Sequence, residues 1–112
     1  MADAPTAPKT KTVKLGSLEK VPQGQGYCFI VEGQEIAVFR QRDGKLYATQ
    51  NRCPHKQAPL SEGLMGGGVV ICPFHSHKFD LCTGQGPDKE ILRVYPVSVV
   101  DGELLLTLGP SP

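Results

Sequence analysis

The chain reads CPH at residues 53–55 and CPFH at residues 72–75, and these two short runs decide the fold. Each run offers one cysteine thiolate and one histidine imidazole from a loop that contains a stiffening proline. The four candidate ligands are Cys53, His55, Cys72 and His75. Such soft-to-borderline ligands suit zinc or iron rather than magnesium or calcium. The sequence therefore predicts a metal centre that is held by two loops.

The order of the ligands narrows the choice of metal. A common structural zinc finger takes two cysteines from one loop and two histidines from the other. Here each loop carries one of each, so a centre with two metal atoms can be held from two sides. A Rieske [2Fe–2S] centre uses two cysteines and two histidines in this way. The motif Cys53-x-His55…Cys72-x-x-His75 resembles that of the Rieske ferredoxins, and so does the run PLSEG at residues 59–63.

This resemblance, which extends from about residue 35 to residue 106, implies a cofactor, a role and a partner. The cofactor would be a Rieske [2Fe–2S] cluster, with Cys53 and Cys72 on the inner iron and His55 and His75 on the outer iron. The role would be one-electron transfer, without a complete active site in this chain. The alternative from a different class is a structural zinc module with the same four ligands. A collar of apolar residues around the histidines would dock a redox partner protein, and its members are Pro54, Leu60, Pro73 and Phe74.

Two subfamilies resemble the chain within this class. Residues 35–39, 51–56 and 78–81 look most like the small subunit of assimilatory NAD(P)H-dependent nitrite reductase. That pattern often carries an aromatic residue where His77 stands here. The second is the ferredoxin component of an aromatic ring-hydroxylating dioxygenase, which is similar across the same loops. The partner would then be a nitrite reductase large subunit, a reductase or an oxygenase.

The remaining histidine and cysteines are assigned other places. His77 follows Cys72 at a wider spacing than His75, which favours a supporting or surface position over ligation. Cys28 lies in a predicted strand and is interpreted as a small apolar core residue. Cys82 precedes a Thr-Gly turn and is expected to be partly exposed.

The sequence predicts an all-β fold. No segment has a sustained apolar period of 3.6 residues, and short strands alternate with turns, which is typical of a sandwich or a barrel. Asp43-Gly44 and Asp101-Gly102 predict hairpin turns, and Pro96 predicts an edge strand or a bulge. The Rieske resemblance likewise implies a β-sandwich or barrel of short antiparallel strands with both ligand loops at one tip. We expect a mobile tail over residues 1–10 and one domain over residues 11–109, with ligand loops at 50–63 and 72–80.

Composition excludes several function classes. The formal net charge of the 112 residues is +1, which argues against a general nucleic-acid binder. No apolar run is long enough to span a membrane, and the first residues lack the apolar core of a signal peptide, so a cytoplasmic protein without membrane contact is expected. Without a secretory signal, the four cysteines favour metal binding over disulfides.

Overall fold

Antiparallel strands make up most of the part of the chain that the structure describes, as the sequence predicts. The computed structural model describes residues 11–53, 58–73, 77–86 and 91–108. This part of the chain contains ten strands, two short 3₁₀ turns and no α-helix, so no helix in it could cross a membrane. The 3₁₀ turns cover Leu18–Lys20 and Leu60–Glu62. The strands are β1 Lys11–Ser17, β2 Gln25–Val31, β3 Gln34–Arg40, β4 Leu46–Gln50, β5 Leu64–Gly66, β6 Val69–Ile71, β7 Lys78–Asp80, β8 Val94–Tyr95, β9 Val97–Val100 and β10 Glu103–Leu108.

The strands form three antiparallel sheets, in the orders β1-β10-β9, β2-β3-β4-β8 and β5-β6-β7. The four-stranded sheet lies between two apolar cores, because successive side chains of β3 point to opposite faces and both faces are covered. Ile36 and Val38 pack into one core together with side chains of β1, β2 and β10. Ala37 and Phe39 pack into the other core, and all four residues are fully buried. Strand β3 is therefore the centre of the molecule.

The core on the second face is the one that supports the candidate site. It joins β3 to the two ligand loops and to β6 and β7, so the loops rest on packed side chains rather than on solvent. Burying each large apolar side chain of such a core stabilises the fold by about 1.5–3 kcal/mol. Its members are Ala37, Phe39, Cys53, Ala58, Leu60, Val70, Cys72, Phe79, Leu81 and Leu92.

Two hairpins turn through a pair of residues with positive φ. Glu32 and Gly33 have φ values of 51° and 82°, and Asp101 and Gly102 have values of 52° and 79°. Two consecutive positive φ values match the right-handed twist of the flanking strands. The prediction of a hairpin at Asp101-Gly102 is confirmed.

The hairpin at Asp43-Gly44 forms as predicted, but its turn is of a different kind. Gly44 has a φ of 97°, whereas Asp43 is not among the residues with positive φ. The loop is longer than two residues, since the Gly44 N–H donates to the Gln41 carbonyl at 2.9 Å and the Gln41 N–H donates to the Lys45 carbonyl at 2.9 Å. The expectation of positive φ at both central positions is therefore wrong for Asp43.

Pro96 marks the point where the chain leaves one sheet and enters another. Strand β8, which precedes it, pairs with β4, and β9, which follows it, pairs with β10. Both are edge strands, so the missing N–H of Pro96 leaves no ladder position unpaired. The prediction of an edge strand here is confirmed.

Candidate metal centre

The first ligand loop leaves β4 and folds back on itself as a narrow hairpin. The Asn51 carbonyl accepts the Leu60 N–H at 2.6 Å, and Arg52 forms a β-bridge with Pro59. Next along the chain, the Cys53 N–H donates to the Ala58 carbonyl at 2.9 Å. Residues 54–57 connect these last two positions and lie outside the described residues. Cys53 thus occupies the last paired position of the hairpin.

The second ligand loop repeats this arrangement. Strands β6 and β7 pair up to Ile71 opposite Lys78. The Cys72 N–H then donates to the His77 carbonyl at 2.8 Å. Of the connecting residues 73–76, Pro73 is exposed and the other three lie outside the described residues. Each cysteine therefore donates its N–H to a carbonyl five residues later, and each is followed by four connecting residues.

Because the two loops are of equal size, the positions of the three histidines within them can be compared. His55 is the second connecting residue of the first loop and His75 is the third of the second loop, and both lie outside the described residues. His77 is not a connecting residue, because its main chain pairs with Cys72, at the position that Ala58 holds in the first loop. It is half-buried. This placement is consistent with a supporting role for His77, which stays a prediction.

The structure brings Cys53 and Cys72 into one apolar core. Their exposed fractions are 0% and 1%, and both belong to the core under the second face of β3. The four cysteines, all of them in the described part of the chain, form no disulfide. Two buried thiols, one from each loop, fit the cysteine half of a two-cysteine, two-histidine ligand set. Within the described ranges no three His, Cys, Asp or Glu side chains are grouped to hold a metal, and two predicted ligands lie outside those ranges.

Gly63 sets the spacing between the two loops. It follows the first loop, and Leu64 beside it pairs with Ile71, the residue before Cys72. A Cβ on Gly63 would lie 2.1 Å from the Ile71 carbonyl oxygen, which is far inside van der Waals contact. Only glycine lets the two main chains come this close. In the sequence, Gly63 ends the PLSEG run at residues 59–63, and no local signal there predicts this close approach.

The other two cysteines lie away from this pair. Cys28 is half-buried in the edge strand β2, and neither of the two described cores includes it, so the prediction of a core residue is wrong. The core-facing side chains of β2 are instead Phe29 and Val31. Burial raises the pKa of the Cys28 thiol, and the nearby charge of Glu35 raises it further.

Cys82 is exposed, as predicted, and its turn is organised by Asp80. The Asp80 carboxylate accepts the N–H groups of Cys82 at 2.8 Å and Thr83 at 3.0 Å. The hydrogen bond from Thr83, followed by that from Cys82, lowers the pKa of Asp80 below its usual value. This turn lies directly after β7, at the end of the second loop.

The predicted apolar collar needs one correction. Leu60 is fully buried in the core, because the 3₁₀ turn that it begins directs its side chain inward. Pro73 is exposed, as a collar residue should be. Pro54 and Phe74 lie outside the described residues.

Comparisons with known proteins agree with this geometry. The family model of the Rieske [2Fe-2S] domain matches residues 11–96. The ferredoxin component of the naphthalene 1,2-dioxygenase system of Pseudomonas aeruginosa is 33% identical over 102 residues, which are 88% of this chain and 97% of that protein. Several solved structures share the fold, and two of them are ferredoxin-sized relatives. The ferredoxin of carbazole 1,9a-dioxygenase from Nocardioides aromaticivorans IC177 is 31% identical with a TM-score of 0.77, covering 95% of this chain and all of that one. A Mycobacterium tuberculosis protein described as an NADH-dependent nitrite reductase small subunit is 26% identical with a TM-score of 0.80, and the match covers 89% of this chain and 96% of that one.

The family match spans most of the chain, including both cysteine loops and the sheet beneath them. It favours an iron–sulfur cofactor over the structural zinc alternative. The chain belongs to the Rieske [2Fe–2S] domain family, its cofactor is a Rieske-type [2Fe–2S] cluster, and it is a Rieske-type electron carrier.

Proposed function

We propose that Cys53, His55, Cys72 and His75 hold the cluster, and that the chain is the ferredoxin component of a ring-hydroxylating dioxygenase system. The cysteines bind the inner iron and the histidines bind the outer iron. Residues 11–109 form the cluster-bearing domain. The carrier accepts one electron at a time from a reductase and passes it to the oxygenase.

One observation carries the ligand assignment. Cys53 and Cys72 are both almost fully buried in one core, at equivalent positions of two loops of equal size. Their burial supports the two cysteines as ligands of the inner iron, and His55 and His75, which lie outside the described residues, are proposed for the outer iron.

The chain's own residues prepare this site in three ways. Leu60 and Phe79 are fully buried in the core that contains both cysteines, so they exclude water from the thiolates. Each cysteine N–H is bound within its own loop, which fixes the main chain from which the thiolate projects. Two neutral imidazoles in place of two thiolates remove two negative charges from the ligand set, which makes an added electron easier to accept. When bound, the cluster supplies the one-electron redox chemistry.

The dioxygenase assignment rests on relatives whose own length the chain spans almost completely. The naphthalene and carbazole dioxygenase ferredoxins are 33% and 31% identical, against 29% and 26% for two proteins described as nitrite reductase small subunits. A small subunit of NAD(P)H-dependent nitrite reductase is the second candidate. It is favoured by the sequence of residues 35–39, 51–56 and 78–81 and by the TM-score of 0.80.

A reconstitution experiment tests the proposal. The cluster-loaded protein is added to a dioxygenase reductase and oxygenase that lack their ferredoxin, and separately to a nitrite reductase large subunit that lacks its small subunit. We expect NADH-dependent hydroxylation of the aromatic substrate in the first mixture, and no hydroxylation with the Cys72→Ser variant. Nitrite reduction in the second mixture without hydroxylation in the first would overturn the dioxygenase assignment and support the second candidate.

A further inference from the structure

Two polar side chains are buried among the residues that the structure describes, and they are those of Thr49 and Asn51. The Thr49 hydroxyl donates to the carbonyl of its neighbour Gln50 at 2.8 Å, so it ties nothing distant together. Asn51 is different. It lies two residues before Cys53, is 2% exposed, and bonds with both atoms of its side-chain amide to other elements.

Asn51 joins β3 to the end of the first loop. Its Nδ2 donates to Glu35 Oε1 at 2.9 Å, and its Oδ1 accepts the Ser61 N–H at 2.9 Å. The main chain of Asn51 repeats the connection, since its N–H donates to the Glu35 carbonyl at 3.2 Å and its carbonyl accepts the Leu60 N–H at 2.6 Å. The residue thus makes two hydrogen bonds in each direction.

Glu35 extends the connection to the next residue of the loop. Its carboxylate also binds the guanidinium group of Arg52. Arg52 Nε lies 3.0 Å from Glu35 Oε1, and Arg52 Nη2 donates to Glu35 Oε2 at 3.1 Å. The hydrogen bonds from Asn51 and then from Arg52 lower the pKa of Glu35, so it remains a carboxylate at neutral pH. One side chain at the start of β3 therefore holds both residues that lead to Cys53.

The first loop needs this connection more than the second does. The second loop stands on three paired positions of β6 and β7, from Val69 opposite Asp80 to Ile71 opposite Lys78. At its base the first loop has a single bridge, between Arg52 and Pro59. The polar contacts of Asn51 take the place of a regular ladder.

We infer that Asn51 is a positioning residue for Cys53, and that Asn51 and Glu35 together hold the first cysteine loop against β3. The inference deepens the proposed function and rests on Cys53 being a ligand for its effect on the cluster. Asn51 is not one of the proposed ligands. It acts by restricting the opening of the loop from which Cys53 binds.

Hydrogen exchange followed by mass spectrometry on the cluster-loaded protein tests this. We expect Asn51→Ala to speed exchange in residues 51–63 by about 10-fold, because local opening no longer breaks the side-chain hydrogen bonds to Glu35 and Ser61. Exchange in residues 69–80 should stay unchanged. Thr49→Val is the matched control, since it removes the other buried polar group without touching the loop. An equal increase in both loops, or none in residues 51–63, would overturn the inference.

Release of iron to a chelator supplies a second readout. Asn51→Ala should lose iron about 10-fold faster than Thr49→Val at equal thermal stability. If Asn51→Ala does not fold, the half-buried Glu35 provides the test. Glu35→Gln keeps an oxygen for Asn51 Nδ2 and should retain slow exchange, whereas Glu35→Ala should not. Equal exchange in these two variants would contradict the inference. Because exchange does not depend on the redox partner, failure of the reconstitution leaves this result standing.

Discussion

Replacing Gly63 with alanine should loosen the contact that joins the two cysteine loops. The main chain at Gly63 has φ −81° and ψ 169°, which any residue adopts, so the expected effect is purely steric. A Cβ there would lie 2.1 Å from the Ile71 carbonyl oxygen, whereas real Cβ contacts essentially never fall below 3.0 Å. The two main chains must therefore separate by about 0.9 Å or more. Ile71 precedes Cys72, so the movement reaches a predicted ligand directly.

The size of the effect follows from the kind of contact. Overpacking in a well-packed region costs typically about 1–3 kcal/mol, and a strained hydrogen bond between β5 and β6 adds about 1 kcal/mol. We expect Gly63→Ala to lower the free energy of unfolding by about 3 kcal/mol. Since the urea dependence for small proteins is about 1–3 kcal/mol per M, the unfolding midpoint should fall by about 1–3 M. The visible absorption of the cluster should disappear at the same lower urea concentration.

Gly66→Ala is the matched control. Gly66 lies in the same hairpin, and a Cβ there would meet nothing within 4 Å. Alanine should be neutral or stabilising by up to about 1 kcal/mol at such a position. Circular dichroism and cluster absorbance in urea would measure both variants. Midpoints that agree within about 0.3 M, which is near the uncertainty of such measurements, would refute the steric reasoning.

Three further predictions concern the ligands, the acid dependence of stability and the reduction potential. Spectra of protein assembled with excess iron and sulfide should lose the cluster bands in Cys53→Ser, His55→Ala, Cys72→Ser and His75→Ala but keep them in His77→Ala, Cys28→Ser and Cys82→Ser. If the His77→Ala protein lost the cluster bands and the His75→Ala protein kept them, the assignment of His75 as the ligand would be wrong. The N–H groups of Thr83 and Cys82 lower the pKa of Asp80 in the folded protein below its value of about 4 in the unfolded chain. The ionised Asp80 carboxylate therefore stabilises the fold above about pH 4, and this contribution is lost as the pH falls through the pKa of the folded state. The difference in urea midpoint between wild type and Asp80→Asn should therefore narrow from pH 6 to pH 3, and a constant difference would be inconsistent with this cause. Phe79 is fully buried in the core that contains both cysteines, so Phe79→Tyr would place a hydroxyl near the proposed cluster. A hydroxyl that donates to a cluster sulfur stabilises the more negative reduced state, so the reduction potential measured by protein-film voltammetry should rise by tens of millivolts, where about 59 mV corresponds to about 1.4 kcal/mol. No increase in a variant whose structure shows that hydrogen bond would rule out this explanation.

Local sequence signals predict the parts of the fold that local chemistry determines. The alternation of apolar residues and the glycine turns identify the strands and most hairpins, and the mixed order of cysteine and histidine identifies the kind of site. The apolar run at residues 36–39 is a further local signal. A continuous apolar run predicts a strand that is buried on both faces, as β3 is.

Contacts between distant residues are what the sequence does not show. Asn51 meets Glu35 sixteen positions away, and neither residue type identifies its partner beforehand. The approach of Gly63 to Ile71 likewise depends on how β5 pairs with β6. Leu60 is predicted as part of the apolar collar around the histidines, yet the 3₁₀ turn that it begins buries it. The sequence also does not show that the two cysteine loops are of equal size, because the spacing from Cys to His is one residue longer in the second loop than in the first.

Mössbauer spectroscopy of the oxidised protein, assembled with ⁵⁷Fe and sulfide, would show directly whether the chain holds two iron atoms with different ligands. Cysteine ligands on one iron and histidine ligands on the other make the two iron sites chemically different. We expect two iron atoms per chain that give two doublets of equal area with different isomer shifts. A single doublet from equivalent irons, or a chain that holds one zinc and no iron under these conditions, would contradict it.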